Sequence, residues 1–112
     1  MVRYFKTNGI YAGADLLKVS VKYSKEVGGY FIQVEPCSKV NSCETFYYYP
    51  EYYKYYGTLR ELVVNCGRRS EKRYNEACAI CNKIIGELFD RYVKHADEKG
   101  GRHIEIIGEL ED

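Results

Sequence analysis

Leu17-Lys18-Val19-Ser20-Val21-Lys22-Tyr23-Ser24 decides the fold. Leu17, Val19, Val21 and Tyr23 alternate with Lys18, Ser20, Lys22 and Ser24, the period-2 pattern of a strand buried on one face. Glu26-Val27-Gly28-Gly29 follows with turn chemistry, since glycine enters positive φ without steric penalty. Tyr30-Phe31-Ile32-Gln33-Val34-Glu35 then returns as a second strand and is expected to stop at Pro36, which has no amide hydrogen for a ladder. An antiparallel hairpin over residues 17–36 is the nucleus of the reading.

Working outward, Asn8-Gly9 lies between Tyr4-Phe5 and Ile10-Tyr11 and fits a short type I′ hairpin. Downstream, a polar connection from Cys37 to Cys43 leads to a third expected strand, Glu44 to Tyr49, ended by Pro50. The second half reads as helical. Thr58-Leu59-Arg60-Glu61 matches a capping box, and Leu59, Leu62, Val63 and Cys66 follow at helical spacing up to Gly67. The adjacent valines leave a strand as the other reading of that segment. Ser70 can cap a longer helix whose apolar stripe is Tyr74, Ala77, Cys78, Cys81, Ile84, Ile85, Leu88, Phe89 and Tyr92, with Gly100-Gly101 as its end. Arg102 to Ile107 adds a last strand or docked tail, followed by acidic Glu109, Glu111 and Asp112. Strands followed by helices predict an α+β fold: a small antiparallel sheet of three to four strands, with a short helix and one long C-terminal helix on one face. The whole chain, 1–112, forms one domain, divided into a hairpin (17–36), a Cys/Tyr-rich strand and loop (37–57), a helical half (58–99) and a terminal strand or acidic tail (102–112).

With 46% hydrophobic and 29% charged residues in 112, a largely disordered chain is excluded and a single core is expected. No apolar run approaches the ~20 residues of a membrane span. Met1-Val2-Arg3-Tyr4-Phe5-Lys6 lacks the apolar centre of a signal peptide. The five cysteines are an odd number, which cannot pair completely within one chain. Together these features predict a cytoplasmic protein with reduced thiols, away from any membrane. The net charge of +1 gives no strong whole-molecule pull on nucleic acid, so binding has to come from a local patch.

The runs Lys18-Val19-Ser20-Val21-Lys22-Tyr23-Ser24, Gly29-Tyr30-Phe31-Ile32-Gln33-Val34-Glu35-Pro36, Leu59-Arg60-Glu61-Leu62-Val63 and Arg69-Ser70-Glu71-Lys72-Arg73 resemble small proteins carried by phages, plasmids and conjugative elements of Gram-positive bacteria. The resemblance covers residues 17 to 92 and departs at the Cys/Tyr-rich stretch from Cys37 to Tyr56. That group has no established activity, so the resemblance assigns no site residues. It implies a binder of host factors, including an anti-CRISPR-like inhibitor, ahead of a metabolic enzyme.

Two surfaces carry unusual chemistry. In Phe46-Tyr47-Tyr48-Tyr49-Pro50-Glu51-Tyr52-Tyr53-Lys54-Tyr55-Tyr56, eight of eleven residues are aromatic. One small core cannot enclose eight rings from a single segment, so some are expected at the surface. Tyrosine offers contact area, few rotors and a hydroxyl. Tyr47, Tyr48, Tyr49, Tyr52, Tyr53, Tyr55 and Tyr56 are therefore candidate partner-binding residues, the plainer alternative being a lid over the core with wet hydroxyls. In Arg68, Arg69, Ser70, Lys72 and Arg73, cations crowd a helix start, where the helix dipole already favours anions. A phosphate or carboxylate guest would resolve that misplacement; the plainer alternative is a solvated face partly balanced by Glu71.

Cys78-x-x-Cys81 with Cys37-x5-Cys43 offers four thiolates to zinc. Cys78 and Cys81, however, lie on the apolar stripe, where cysteine behaves as a small hydrophobe. Core packing, with no metal and no cofactor, is the expectation. Cys66/His95 and Cys37/His103 are conceivable nucleophile–base pairs that nothing in the sequence brings together, so no catalytic residue is assigned. The leading expectation is a non-enzymatic binder of a host protein or ribonucleoprotein, in its sharpest form an inhibitor of a host defence complex. A nucleic-acid or nucleotide-binding module that stacks bases on tyrosine and holds phosphate with arginine is the second. A structural homodimer joined through the tyrosine face is the third.

Overall fold

A computed structural model describes residues 1–25, 29–38, 43, 45–47, 69–100 and 103–110. Strands β1 (Val2–Tyr11), β2 (Ala14–Ser24), β3 (Gly29–Cys37) and β4 (Phe46–Tyr47) come first. Helices α1 (Glu71–Lys83) and α2 (Ile85–Glu98) follow, then strand β5 (Ile106–Glu109). Every neighbouring pair in the sheet is antiparallel, in the order β4-β3-β2-β1-β5. The fold is α+β. Around the expected hairpin and β4, the sheet adds β1 beside β2 and β5 at the outer edge of β1, five strands in all.

The β2–β3 hairpin lies where the alternation placed it, with Tyr23 opposite Tyr30, Val21 opposite Ile32 and Val19 opposite Val34. Its far end differs. β3 passes through Pro36 to Cys37 instead of stopping. The Pro36 carbonyl accepts from the Cys43 amide at 3.1 Å, on the side away from β2. The nitrogen of a strand residue points the same way as its carbonyl, so the missing N–H removes no bond to β2.

The β1–β2 turn is not Asn8-Gly9 but Ala12-Gly13, both at positive φ (54° and 78°) between paired Tyr11 and Ala14, the backbone requirement of a two-residue primed turn. Asn8 and Gly9 sit inside β1, where the register to β2 shifts between Lys6 and Tyr11. The Asn8 side chain is engaged elsewhere. Its Oδ1 accepts from the Glu105 amide at 2.8 Å, and its backbone N–H donates to the Glu105 carbonyl at 3.1 Å.

The long helical stripe is present, but the helix bends at Ile84 (φ −103°, ψ 14°), giving two helices. Hydrogen bonds from Ile84 to Ile80 and from Leu88 to Ile84 carry the ladder across the bend, and Gly86 just beyond it supplies the local softness. All nine predicted stripe residues belong to the core or pack against it. Leu88, Tyr92 and Cys81 are fully buried beneath the sheet face formed by Leu17, Val19, Val21, Tyr30, Ile32 and Val34. Phe5 meets Phe89 edge-on at 4.8 Å between ring centres, and Tyr11 meets Tyr92 at 6.0 Å. The terminal strand begins later than expected. Glu109, assigned to an acidic tail, lies within β5, where both carboxylate oxygens accept from Arg3 at 3.0 and 2.6 Å. That pairing raises the Arg3 pKa and holds the Glu109 carboxyl below its ordinary value, the hydrogen bond being the largest cause in each. Arg3 also donates to Asn82 at 2.8 Å, so it ties β1, β5 and the end of α1 together.

Of the expected third strand, Phe46 and Tyr47 form β4. The short helix over residues 58–66 lies outside the described residues. No described helix is long and apolar enough to cross a membrane.

Candidate functional site

Ser70 caps α1 as predicted, its side-chain oxygen accepting from the Arg73 amide at 3.4 Å. The cap is pinned to the sheet by Tyr30, whose hydroxyl donates to the Ser70 carbonyl at 3.1 Å and accepts from its amide at 3.2 Å. Tyr30 also faces Tyr23 edge-on and tilts against Tyr74. The helix start therefore rests on an aromatic corner built by the β2–β3 hairpin. Arg69 lies over Tyr23, its guanidinium carbon 5.2 Å from the ring centre, a cation–π arrangement that holds the side chain without using its hydrogen-bond donors.

Arg73, one turn on, is half-buried, and its Nε–H is enclosed with no acceptor among the described residues. A buried charged donor in that state lacks the partner that would offset its desolvation. Ser70 keeps its hydroxyl proton available after capping, because only one oxygen lone pair is engaged. Lys72 is exposed and lines a shallow depression of about 580 Å³ with Glu71, Asn75 and Glu76, so its ammonium has mixed-charge surroundings. The structure thus gathers Arg69, Ser70 and Arg73 at one corner and turns Lys72 aside. Arg68 lies outside the described residues.

Tyr47 lies opposite Gln33 in β4, at the sheet edge. Tyr48, Tyr49, Tyr52, Tyr53, Tyr55 and Tyr56 lie outside the described residues.

A second constellation was not anticipated. Lys18, Ser20, Gln33 and Glu35 form a two-by-two block on the sheet face away from the helices, with Lys18 opposite Glu35 and Ser20 opposite Gln33. The alternation assigned this face to solvent, yet Ser20, Gln33, Glu35 and neighbouring Phe31 and Cys37 are buried. Glu35 is matched by Lys18 Nζ at 3.5 Å and by the Thr45 hydroxyl, which donates at 3.2 Å. The Ser20 hydroxyl is buried with no hydrogen-bond partner among the described residues. The available signal was Tyr30-Phe31-Ile32, apolar on both sides of the strand, which marks a strand covered on both faces.

Cys78 and Cys81 pack on the apolar stripe as expected, whereas Cys43 is exposed. Cys81 is fully buried, and burial pushes its thiol up to about 12; burial also raises Cys78, and it raises Cys37, with Glu35 next. Protonated thiols of this kind are poor nucleophiles at neutral pH. Among the described residues, no three His, Cys, Asp or Glu side chains converge to hold a metal ion. Of the two nucleophile–base pairs, the structure places both members of only one, Cys37/His103, and does not bring them together. His95 stacks on Phe46 at 4.6 Å, Cys66 lies outside the described residues, Cys37 belongs to β3, and His103 stands beside Asp97 at 3.7 Å near β5. No family, curated protein or solved structure matches the chain.

Proposed function

We propose that this chain is a non-enzymatic binding protein of mobile-element type that engages a host protein or ribonucleoprotein at the corner where α1 begins. The observation that carries the reading is the half-buried Arg73, whose Nε–H is enclosed with no acceptor among the described residues, one helical turn from Arg69 on its Tyr23 platform. An acidic side chain or phosphate of the partner pairs with the outer Nη donors of that guanidinium. It also meets the favourable end of the α1 dipole and the remaining donors of two arginine forks. Tyr47 and the tyrosines that follow it in sequence supply aromatic anchors, the residue type that dominates interface energetics. Inhibition of a host defence complex, in the anti-CRISPR manner, is the sharpest form of this function.

The test is paired affinity capture from a bacterial lysate, with and without nuclease, using the wild-type chain, an Arg69→Ala/Arg73→Gln variant, and Lys83→Glu as a charge-changed control elsewhere on α1. The expected outcome is a protein or ribonucleoprotein retained by wild type and control, reduced at least about tenfold by the double variant, and released by added salt. Equal retention by all three chains overturns the proposal.

A further inference from the structure

At the opposite side of the sheet from β4, α2 and the segment entering β5 enclose a groove of about 650 Å³, within the ~300–1,000 Å³ range of pockets that hold ligands. Phe89 and Val93 from α2 and Ile106 from β5 give it an apolar floor. Its rim is charged. Asp90 and Asp97 stand on the helix and Glu105 on the facing strand approach, against one ammonium, Lys94. His103 adds positive charge only when protonated, and it already faces Asp97. The groove therefore combines an apolar base with a net negative rim.

The groove meets a sheet edge at Ile106, its lining residue from β5. β5 pairs with β1 on one side, and its other side has no partner among the described strands. The bulged Ile107 beside it is 65% exposed, an apolar side chain on the opposite sheet face from the groove floor. An outer strand with unpaired amides and carbonyls is a template for strand addition.

We propose that this groove is a docking site for an extended, basic segment of a partner protein, which adds to the sheet along β5. Main-chain hydrogen bonds to β5 fix its direction. Alternate side chains face the groove: central apolar ones rest on Phe89, Val93 and Ile106, and lysine or arginine at the flanking inward positions reach Asp90, Asp97 and Glu105. Charge complementarity selects this occupant: three carboxylates against one ammonium repel an acidic strand and attract a basic one. This surface is separate from the α1 corner and of opposite charge, so it does not depend on the function proposed above.

The probe is a fluorescently labelled octapeptide, Lys-Thr-Val-Thr-Val-Thr-Lys-Thr, whose inward positions carry lysine, valine, valine and lysine, titrated by anisotropy against the whole chain, with the counterpart carrying glutamate for lysine as control. The lysine peptide is expected to bind at least tenfold more tightly than the glutamate peptide. An Asp90→Lys/Asp97→Lys variant, changed only at exposed positions, is expected to lose at least tenfold in affinity for the lysine peptide while keeping the wild-type circular dichroism and melting temperature. Equal binding of the two peptides, absence of binding, or an unchanged affinity in the variant overturns the proposal. So does sedimentation showing a dimer that the same variant dissociates, because the occupant is then a second copy of this chain.

Discussion

The two faces of the β2–β3 hairpin both carry buried side chains and are built on opposite principles. Toward the helices, Leu17, Val19, Val21, Ile32 and Val34 meet Leu88, Tyr92 and Cys81, and stability comes from apolar area and close packing. On the other face, Ser20, Gln33 and Glu35 are equally enclosed, and their burial is tolerated only to the extent that each polar atom finds a partner. Lys18 and Thr45 provide partners for Glu35, whereas the Ser20 hydroxyl goes without one among the described residues. Equal burial therefore does not mean equal contribution: truncation damages the first face, and unpairing damages the second.

The largest effect belongs to the helix face. Leu88→Ala is expected to destabilise the chain by about 2–5 kcal/mol in urea titration, through lost transfer energy plus a residual cavity; a loss under about 1 kcal/mol would mean that this face is loosely packed. On the polar face, Glu35→Ala strands the Lys18 ammonium and the Thr45 hydroxyl. Because Lys18 keeps 21% of its side-chain surface in water, the expected loss is moderated to roughly 2 kcal/mol, below the figure for a wholly buried pair. Replacing both partners, as Lys18→Met/Glu35→Leu, is expected to return stability to within about 1 kcal/mol of wild type. A double variant no better than Glu35→Ala would show that the block contributes more than mutual neutralisation.

The smallest effect has the opposite sign. Ser20→Ala removes a hydroxyl that has been desolvated without compensation, so the melting temperature should stay level or rise, by up to about 1 kcal/mol in stability. A clear loss would reveal a hydrogen bond that Ser20 makes beyond the described residues.

The same contrast explains what could be read from the chain. Leu17 to Tyr23 and the stripe from Tyr74 to Tyr92 were legible because periodic apolar residues report a helix or strand face directly. The second face was not, since Lys18, Ser20, Gln33 and Glu35 carry the residue types of a solvated surface, and only the doubly apolar Tyr30-Phe31-Ile32 pointed otherwise. Asn8-Gly9 misled for a related reason: a strong local turn signal gave way to a long-range bond between Asn8 and Glu105, while Ala12, a residue with no turn preference, took positive φ. The bend at Ile84 left no mark beyond Gly86, because the apolar stripe continues through it. Of the basic corner, the sequence supplied the cap and the arginines; the Tyr23 platform under Arg69 required the hairpin to be folded first.

The pairing of β5 with β1 has a consequence for synthesis. β1, β2 and β3 are contiguous in the chain and can associate as soon as they clear the ribosome, but the outer side of β1 has no β5 beside it until residues 106–109 emerge. Until then the nascent sheet has that margin bare and open to intermolecular association. Arg3 must likewise wait for Glu109, 106 positions away, so the guanidinium latch and the groove beneath β5 take shape only after β1, β2 and β3 are in place.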